Sequence, residues 1–328
     1  MLRVRNSSIT ELKPILKTDL KTKPKLNAKP ILKPIIKTKS TINSLGATKV
    51  RVAFECPRLL YLNQYFGCRA SFSPPDKIGG IGKIFHDLAD EFVNLAISEP
   101  RFQELFKPEA SLLQVEEVAS SMEDIFYELK FSSYLEEVTD QTPTIGKTLL
   151  RVWIGLQGLI KRFAELLVTN RYYCSGENVI QKTFITEERK IKHYFKLADG
   201  SEQKVVGEYD CLIFNFKTKR LCIVEFKTYQ ALDPSAQLAQ VSLYSYMLWH
   251  KQKIPTDSAV YCVLPYFKEY QYTWKQLEKT VHQLIPYKIQ QIKQWLNWES
   301  PHPNPPPQTT QPHLCNICPQ QKKCHRYF

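Results

Sequence analysis

The chain has 328 residues, and its 45 lysines and arginines exceed its 32 aspartates and glutamates, which gives a formal net charge of +13. Hydrophobic residues make up 43 % and aromatic residues 12 %, which excludes a wholly disordered protein; the length predicts about two domains. No run approaches the roughly 18 uninterrupted apolar residues of a membrane helix, and the lysine-rich start argues against a secretory signal. Nine cysteines without a disulfide-like spacing favour a reducing compartment, so we expect a cytoplasmic protein that spans no membrane.

A strongly basic segment opens the chain. Residues 1–48 hold 11 basic and 2 acidic residues, a net charge of +9, which leaves +4 for the remainder. The segment has no aromatic residue and four prolines, and it carries two copies of Lys-Pro-Ile-Leu/Ile-Lys, at 13–17 and 33–37. Such a composition cannot bury enough apolar surface to fold, so we predict a disordered basic arm. The arm is either a tether for nucleic acid, or a solvated extension, a targeting peptide or a misassigned start.

Apolar periodicity divides the rest of the chain into helices followed by strand-rich segments. Residues 301–312 hold six prolines in twelve positions, which predicts a stiff, extended spacer. The pattern predicts an α/β fold with a mixed sheet, flanking helices, a helical N-terminal part and a cysteine-bearing C-terminal tail. The predicted helices are 57–66, 80–98, 112–136, 144–169, 235–250 and 274–297, and the predicted strands are 179–186, 190–198, 204–215, 220–227 and 258–264.

Three charged residues fall inside otherwise apolar strands. If 204–215 and 220–227 form a hairpin that turns at Lys217 and Thr218, paired residue numbers sum to 435, and Asp210 faces Glu225. Side chains alternate along a strand, so Glu225 and Lys227 share one face. Two facing carboxylates repel each other unless a cation lies between them, which points to a divalent metal site with oxygen ligands. The alternative is an ordinary salt bridge from Lys227 at the end of a strand.

Four short motifs in chain order resemble those of the PD-(D/E)XK nuclease superfamily and its RecB-like branch. They are Gly82-Lys-Ile-Phe-His86, Gly207-Glu-Tyr-Asp210, Glu225-Phe-Lys227 and Gln240-Val-Ser-Leu-Tyr244. The resemblance implies a restriction-endonuclease-like nuclease core that binds Mg²⁺ or Mn²⁺. The implied metal ligands are His86, Asp210, Glu225 and the carbonyl of Phe226, and the implied catalytic residues are Asp210, Glu225, Lys227, Gln240 and Tyr244.

Each outer motif also has a plainer interpretation. His86 lies on a predicted helix, where a lone histidine is often structural, and Asp87 could orient it. Gln240 and Tyr244 share a helix face at a spacing of four residues and could simply pack. Glu208, two residues before Asp210, projects to the same face and is a candidate auxiliary ligand.

Three cysteines lie close together near the C-terminus, as Cys315-x2-Cys318-x5-Cys324, and predict a metal or cluster site. Cys56 precedes Pro57, which is favoured at the first position of a helix, so its thiol would lie at a helix N-terminus that favours a thiolate. With Cys56 as the upstream ligand, the set resembles that of iron–sulfur RecB-like exonucleases. These include the small CRISPR-associated exonucleases, the AddB-type nuclease domain and eukaryotic exonuclease V. The resemblance implies a structural [4Fe–4S] cluster, and zinc, with His313 or His325 nearby, is the alternative.

These observations predict three segments: a basic arm over 1–48, a RecB-like nuclease domain over 49–300 with a helical insertion at about 100–175, and a proline spacer with an iron–sulfur tail over 301–328. The expected activity is that of a metal-dependent deoxyribonuclease, an exonuclease on single-stranded DNA by resemblance, associated with the nucleoid. Expected partners are DNA and proteins of DNA repair or CRISPR adaptation. Two alternatives remain: a non-catalytic DNA-binding or assembly subunit with a nuclease fold, and a zinc-stabilised DNA-binding protein.

Overall fold

Helices and two small β-sheets form the protein in the computed structural model, which describes residues 43–68, 81–230, 234–300 and 302–328. The helices are α1 (Ala47–Glu55), α2 (Pro57–Tyr65), α3 (Ile81–Ser98), α4 (Pro100–Glu104), α5 (Val115–Phe126), α6 (Ser132–Gln141), α7 (Gly146–Arg171), α8 (Val179–Thr183), α9 (Pro234–Gln252), α10 (Trp274–Leu296), α11 (Pro312–Asn316) and α12 (Gln321–Tyr327). Short 3₁₀ turns lie at Ala110–Leu112 and Pro143–Ile145, and a π-helical turn lies at Tyr127–Phe131. The strands are β1 (Leu45–Gly46), β2 (Lys190–Lys196), β3 (Glu202–Glu208), β4 (Cys211–Asn215), β5 (Arg220–Lys227), β6 (Thr256–Cys262) and β7 (Lys268–Tyr272).

The strands form two mixed sheets, which confirms the α/β class. In the first sheet the order is β1-β3-β2, with β1 parallel and β2 antiparallel to β3. In the second the order is β4-β5-β6-β7, and its two central strands, β5 and β6, run parallel. The connection between β5 and β6 contains α9, as a parallel crossover requires. This connection brings α9 against the strand that carries Glu225.

The second sheet is covered on both faces. On one face Val224 and Phe226 join a hydrophobic cluster with α3, α5 and α7. On the other face Leu221 and Ile223 join a second cluster with α1, α9 and α10. Because side chains alternate along β5, Glu225 projects to the side of the second cluster, where α9 packs. Helices α5 and α7, which lie in the segment predicted as an insertion, therefore cover one face of this sheet together with α3.

Two predicted strands differ from the structure. Residues 204–215 do not form one strand, because the chain leaves the first sheet after Glu208 and enters the second at Cys211. Residues 179–183 form helix α8 instead of a strand, and only Phe184 makes an isolated bridge, to Ile213. A short buried apolar run has no periodicity that separates strand from helix, which explains the second error.

The start of the folded domain lies earlier than predicted. Leu45 pairs with Val205 in a parallel bridge, and Leu45 and Ala47 are each only 1 % exposed. Residues 45–48 therefore belong to the fold and not to the arm. The rest of the predicted arm, residues 1–42, lies outside the described residues.

None of the helices in the described ranges is both long enough and apolar enough to cross a bilayer.

Candidate functional site

The hairpin of β4 and β5 has the predicted register. Cys211 pairs with Val224 and Asn215 with Arg220, so paired residue numbers sum to 435. Asp210 lies one residue before the first of these pairs, and its Oδ2 accepts a hydrogen bond from the backbone N–H of Phe226 at 2.6 Å. The Asp210 carboxylate is therefore held beside the Glu225–Phe226 segment, as the alternation of the strands predicts.

Two basic side chains and one amide contact the two carboxylates. His86 on α3 places Nδ1 at 3.1 Å from Oδ1 of Asp210. Lys227 places Nζ at 2.6 Å from Oε1 of Glu225, and Gln240 on α9 donates from Nε2 to the same oxygen at 2.8 Å. The structure thus places His86, Asp210 and Gln240, which lie on three different parts of the chain, beside Glu225 and Lys227 of β5.

Tyr244 joins this group through α9. Gln240 Nε2 donates to the Tyr244 hydroxyl at 2.9 Å, and the hydroxyl is also hydrogen-bonded to Thr48. Its ring lies so close to β3 that a Cβ built on Gly207 would be 2.5 Å from the ring carbon Cε1. A glycine is therefore required where the Tyr244 ring crosses β3.

The plainer interpretations of two site residues can now be compared with their contacts. Asp87 does not orient His86, because it pairs with Lys83 one turn earlier on the same helix. Glu208 is exposed and pairs with Lys190 in the first sheet, so the break in the strand separates it from the carboxylate pair. Phe226 is buried, and its ring packs against that of His86 with centroids 6.1 Å apart.

Burial and neighbouring charges shift the pKa values of the two carboxyl groups in opposite directions. Burial, together with the charge of Asp210, raises the pKa of Glu225 to about 7. Burial also acts to raise the pKa of Asp210, but the hydrogen bond and charge of His86, and the charge of Lys227, outweigh it and lower that pKa. Pairs of carboxyl groups whose pKa values are shifted in opposite directions are common at functional sites.

The two cationic groups are stabilised in their charged forms. Burial acts to lower the pKa of Lys227, but the charge of Glu225 outweighs it, so the pKa is raised. In His86, burial again acts to lower the pKa, and the hydrogen bond and charge of Asp210 reverse that effect. The site therefore holds two cation–carboxylate pairs within a largely buried environment.

Unsatisfied oxygens suit the site to a cation. Glu225 Oε2 and Gln240 Oε1 are buried and accept no hydrogen bond from the described residues. Such atoms are rare in folded proteins, and a bound metal ion is one way to satisfy them. Across the described ranges, however, no three His, Cys, Asp or Glu side chains are arranged to hold a metal.

One arginine at the site was not predicted from the sequence. Arg51 on α1 is 5 % exposed and pairs with Glu55, and the charge of Glu225 acts on it. It lies just beyond the residues predicted to form the arm, in helix α1, which the apolar periodicity did not predict. A charged residue among Val50, Val52 and Ala53 was the only available signal.

The four cysteines predicted as ligands line one cavity of about 240 Å³. The cavity brings Cys56 together with Cys315, Cys318 and Cys324, which are more than 250 residues further along the chain. His325 also lines it, whereas His313 is not among its lining residues. All nine cysteines of the chain are free thiols in this structure.

Cys56 caps α2 as predicted, since its Sγ accepts a hydrogen bond from the N–H of Leu59 at 3.4 Å. Burial outweighs the backbone hydrogen bonds to its Sγ and raises the pKa of Cys56, which opposes the thiolate that a helix N-terminus favours. Burial, helped by the three neighbouring thiols, likewise raises the pKa of Cys318 to about 11. Thiols so placed ionise together only when a cation binds them.

The C-terminal tail packs on α2 beside this cavity. Arg58 donates from Nε to the carbonyl of Pro306 at 3.0 Å and lies over the ring of Phe328 at 4.7 Å. Tyr61 packs edge-to-face against Trp298 and Phe328. The proline spacer and the last residues are thus fixed to the first helices of the domain.

Comparison with known proteins leaves the family open. No protein-family profile and no curated protein matches the sequence. Among solved structures, the chain is similar to the crystal structure of SSO0001 at 11 % sequence identity, with a TM-score of 0.35. That alignment covers 89 % of this chain and 90 % of the other.

Proposed function

We propose that the protein is a metal-dependent deoxyribonuclease with a RecB-like, restriction-endonuclease-like core. The observation that carries the proposal is the convergence on one partly buried site of six side chains that all belong to the four motifs. They are His86, Asp210, Glu225, Lys227, Gln240 and Tyr244.

His86, Asp210, Glu225 and the carbonyl of Phe226 would hold the Mg²⁺ or Mn²⁺ ion. When bound, this ion would act as a Lewis acid at the scissile phosphate and would lower the pKa of a water molecule bound to it. Lys227 is positioned by its bond to Glu225 to orient an attacking water and to offset the charge that develops on the phosphate. Gln240 donates to both Glu225 and Tyr244, and it would thereby hold the two side chains in place beside the bound phosphate.

Single-stranded DNA is the substrate that the motif resemblance favours, with cleavage from an end. The main alternative is a non-catalytic DNA-binding or assembly subunit. It is less well supported because every expected catalytic position is filled and Lys227 and Glu225 form a buried pair. Such buried pairs are costly to desolvate and contribute little to stability, so a purely structural role explains them poorly.

We further propose that Cys56, Cys315, Cys318 and Cys324 hold a [4Fe–4S] cluster that fixes the tail to α2. The support is that four thiols from the two ends of the domain line one cavity. Zinc is the second candidate for the same thiols, with His325 as a further ligand. A zinc-stabilised DNA-binding protein without catalysis would follow if zinc occupied the cysteines and the carboxylates served only as salt bridges.

A cleavage assay tests the nuclease proposal. End-labelled single-stranded DNA is incubated with the protein and Mn²⁺ or Mg²⁺, and Asp210→Asn and Lys227→Met are compared with wild type. Each substitution should lower the rate by about 100-fold or more, because Asp210→Asn removes a proposed metal ligand and Lys227→Met removes the cation proposed to act at the phosphate. Asp87→Asn is the matched control, since Asp87 is exposed on the helix that carries His86. Full activity in both site variants would refute the assignment.

A separate measurement distinguishes the cluster from zinc. The protein is purified without oxygen, and iron, acid-labile sulfide and zinc are quantified beside the visible absorbance spectrum. Four irons and four sulfides per chain, lost in Cys318→Ser and retained in Cys68→Ser, are expected. One zinc per chain without iron would favour the zinc-stabilised alternative.

A further inference from the structure

The break between β3 and β4 creates a specific structural problem beside the site. At Tyr209 and Asp210 the chain passes from one sheet to the other, so the backbone there lacks a regular strand partner. Buried backbone groups need hydrogen bonds, and the position of the Asp210 carboxylate depends on how this turn is held.

Arg189 forms hydrogen bonds with the backbone of both residues at the break. Its backbone carbonyl accepts the N–H of Tyr209 at 3.4 Å, and its Nη1 donates to the carbonyl of Asp210 at 2.6 Å. Arg189 itself lies just before β2, outside any strand. One residue therefore contacts the backbone of both residues at which the chain changes sheets.

The same arginine is fixed to the helix that carries His86. Its Nη1 and Nη2 bind the two carboxylate oxygens of Asp90 at 2.6 and 3.1 Å, a bidentate pair. Asp90 lies four residues after His86 on α3, so both project from one face of that helix. Arg189 thus connects α3 to the backbone of Asp210, and the bond between His86 and Asp210 spans the same two elements.

We propose that Arg189 is a positioning residue, which sets the separation of α3 and β4 and thereby places His86 and Asp210 to bind the divalent ion together. The proposal rests on the proposed function for the identity of that ion. Arg189 would contact neither the substrate nor the metal, and it would act through the backbone of Asp210 and the side chain of Asp90. Residues that orient metal ligands typically change metal affinity by about 10–100-fold when replaced.

The test measures Mn²⁺ binding to the full-length, DNA-free protein, by titration followed through the electron paramagnetic resonance of free Mn²⁺. Arg189→Met should weaken Mn²⁺ binding by about 10–100-fold. Arg189→Lys should also weaken it, because an ammonium cannot bind both Asp90 oxygens and the Asp210 carbonyl in this fork geometry. Arg101→Met is the matched control, since Arg101 forms an exposed pair with Glu128 at 2.7 Å.

A double variant separates positioning from general destabilisation. If Asp90 and Arg189 act as one unit, Asp90→Asn combined with Arg189→Met should bind Mn²⁺ no more weakly than Arg189→Met alone. Additive losses, or unchanged Mn²⁺ affinity in Arg189→Met and Arg189→Lys, would overturn the proposal. Asp90→Asn and Arg189→Lys retain the side-chain volume, so they decide the question if Arg189→Met does not fold.

Amide hydrogen exchange distinguishes failure of this inference from failure of the proposed function. The Phe226 N–H reports the Asp210 carboxylate directly, because it donates to Oδ2. Faster exchange at Phe226 in Arg189→Met is expected whether or not metal is present. If wild-type protein binds no Mn²⁺ but this exchange increases, the metal site is refuted and the positioning role stands. If the exchange is unchanged, the positioning role is refuted.

Discussion

The carboxylate site and the cysteine cavity differ in the source of their compensating charge. At the first, His86 lies against Asp210 and Lys227 against Glu225, so each carboxylate has a cation supplied by the fold. At the second, burial raises the pKa of Cys318, and the three neighbouring thiols raise it further. The first site is therefore organised by its own side chains, whereas the second needs an added cation before its thiols can ionise together.

This difference predicts different consequences of losing a ligand. A carboxylate-site variant should lose chemistry and keep its fold, because packing on β5 and α9 holds the neighbouring residues in place. A cysteine variant should loosen the fold, because the proposed cluster would connect α2 to a tail that also contacts α2 through the aromatic rings of Tyr61 and Phe328.

The largest effect is expected for Cys324→Ser. Loss of one ligand should release the cluster and lower the melting temperature by roughly 10 °C, because metal binding at such sites contributes directly to folding. Differential scanning calorimetry under anaerobic conditions measures the shift. Cys68→Ser, outside the cavity, should melt like wild type, and an unchanged melting temperature in Cys324→Ser would show that the tail is held without the cluster.

A smaller effect is expected for Gly207→Ala, which tests how rigid the carboxylate site is. The added methyl group would meet the Tyr244 ring at 2.5 Å and must displace it, at a cost of about 1–3 kcal/mol. We expect a reduced cleavage rate with an intact cluster spectrum. Gly146→Ala is the control, since no atom lies within 4 Å of a Cβ built there. Wild-type cleavage in Gly207→Ala would show that the position of Tyr244 is not required.

The buried Glu225 predicts a pH-dependent stability in the metal-free protein. Its pKa is raised to about 7 by burial and by Asp210, so the folded state favours the neutral acid. That contribution is present below the unfolded pKa and is lost as the pH rises through about 7. Glu225→Gln cannot ionise, so its melting temperature relative to wild type should increase from pH 5 to pH 8, by about 2–4 °C.

Thermal melts in the presence of a chelator at four pH values measure this difference. Glu116→Gln, at an exposed helix position, should track wild type throughout. A constant difference between Glu225→Gln and wild type across this range would mean that Glu225 does not titrate there. With metal added, wild type alone should gain stability, because the variant lacks the ligand.

The contrast between the two sites also explains what the sequence could predict. The register of the hairpin was predictable because strand alternation and a single turn position fix it, and it placed Asp210 beside Glu225 correctly. Cys56 was predictable as a helix cap because Pro57 follows it. Both depend on residues close together in sequence.

Contacts between distant elements were not predictable where no recognisable motif carries the residues. Neither residue of the strand break, Tyr209 or Asp210, is a glycine or proline that would predict an interruption. The break arises because the chain passes from one sheet to the other there. Arg189 and Asp90 are 99 residues apart, so no local pattern connects them. Arg51 was missed for a different reason: its helix follows directly on a basic segment, and composition there concealed the start of the fold.

The smallest effect is expected from the basic arm, and it tests whether either site depends on it. Removal of residues 1–42 takes away all nine net charges of the 1–48 segment but leaves Leu45 and Ala47, which are buried in the fold. We expect weaker binding to single-stranded DNA and a shallower dependence of affinity on salt, because fewer counterions are released. Metal-dependent cleavage at saturating DNA and the cluster spectrum should both persist. Titrations at several salt concentrations measure the slope, and an unchanged slope would show that the arm does not contact the DNA backbone.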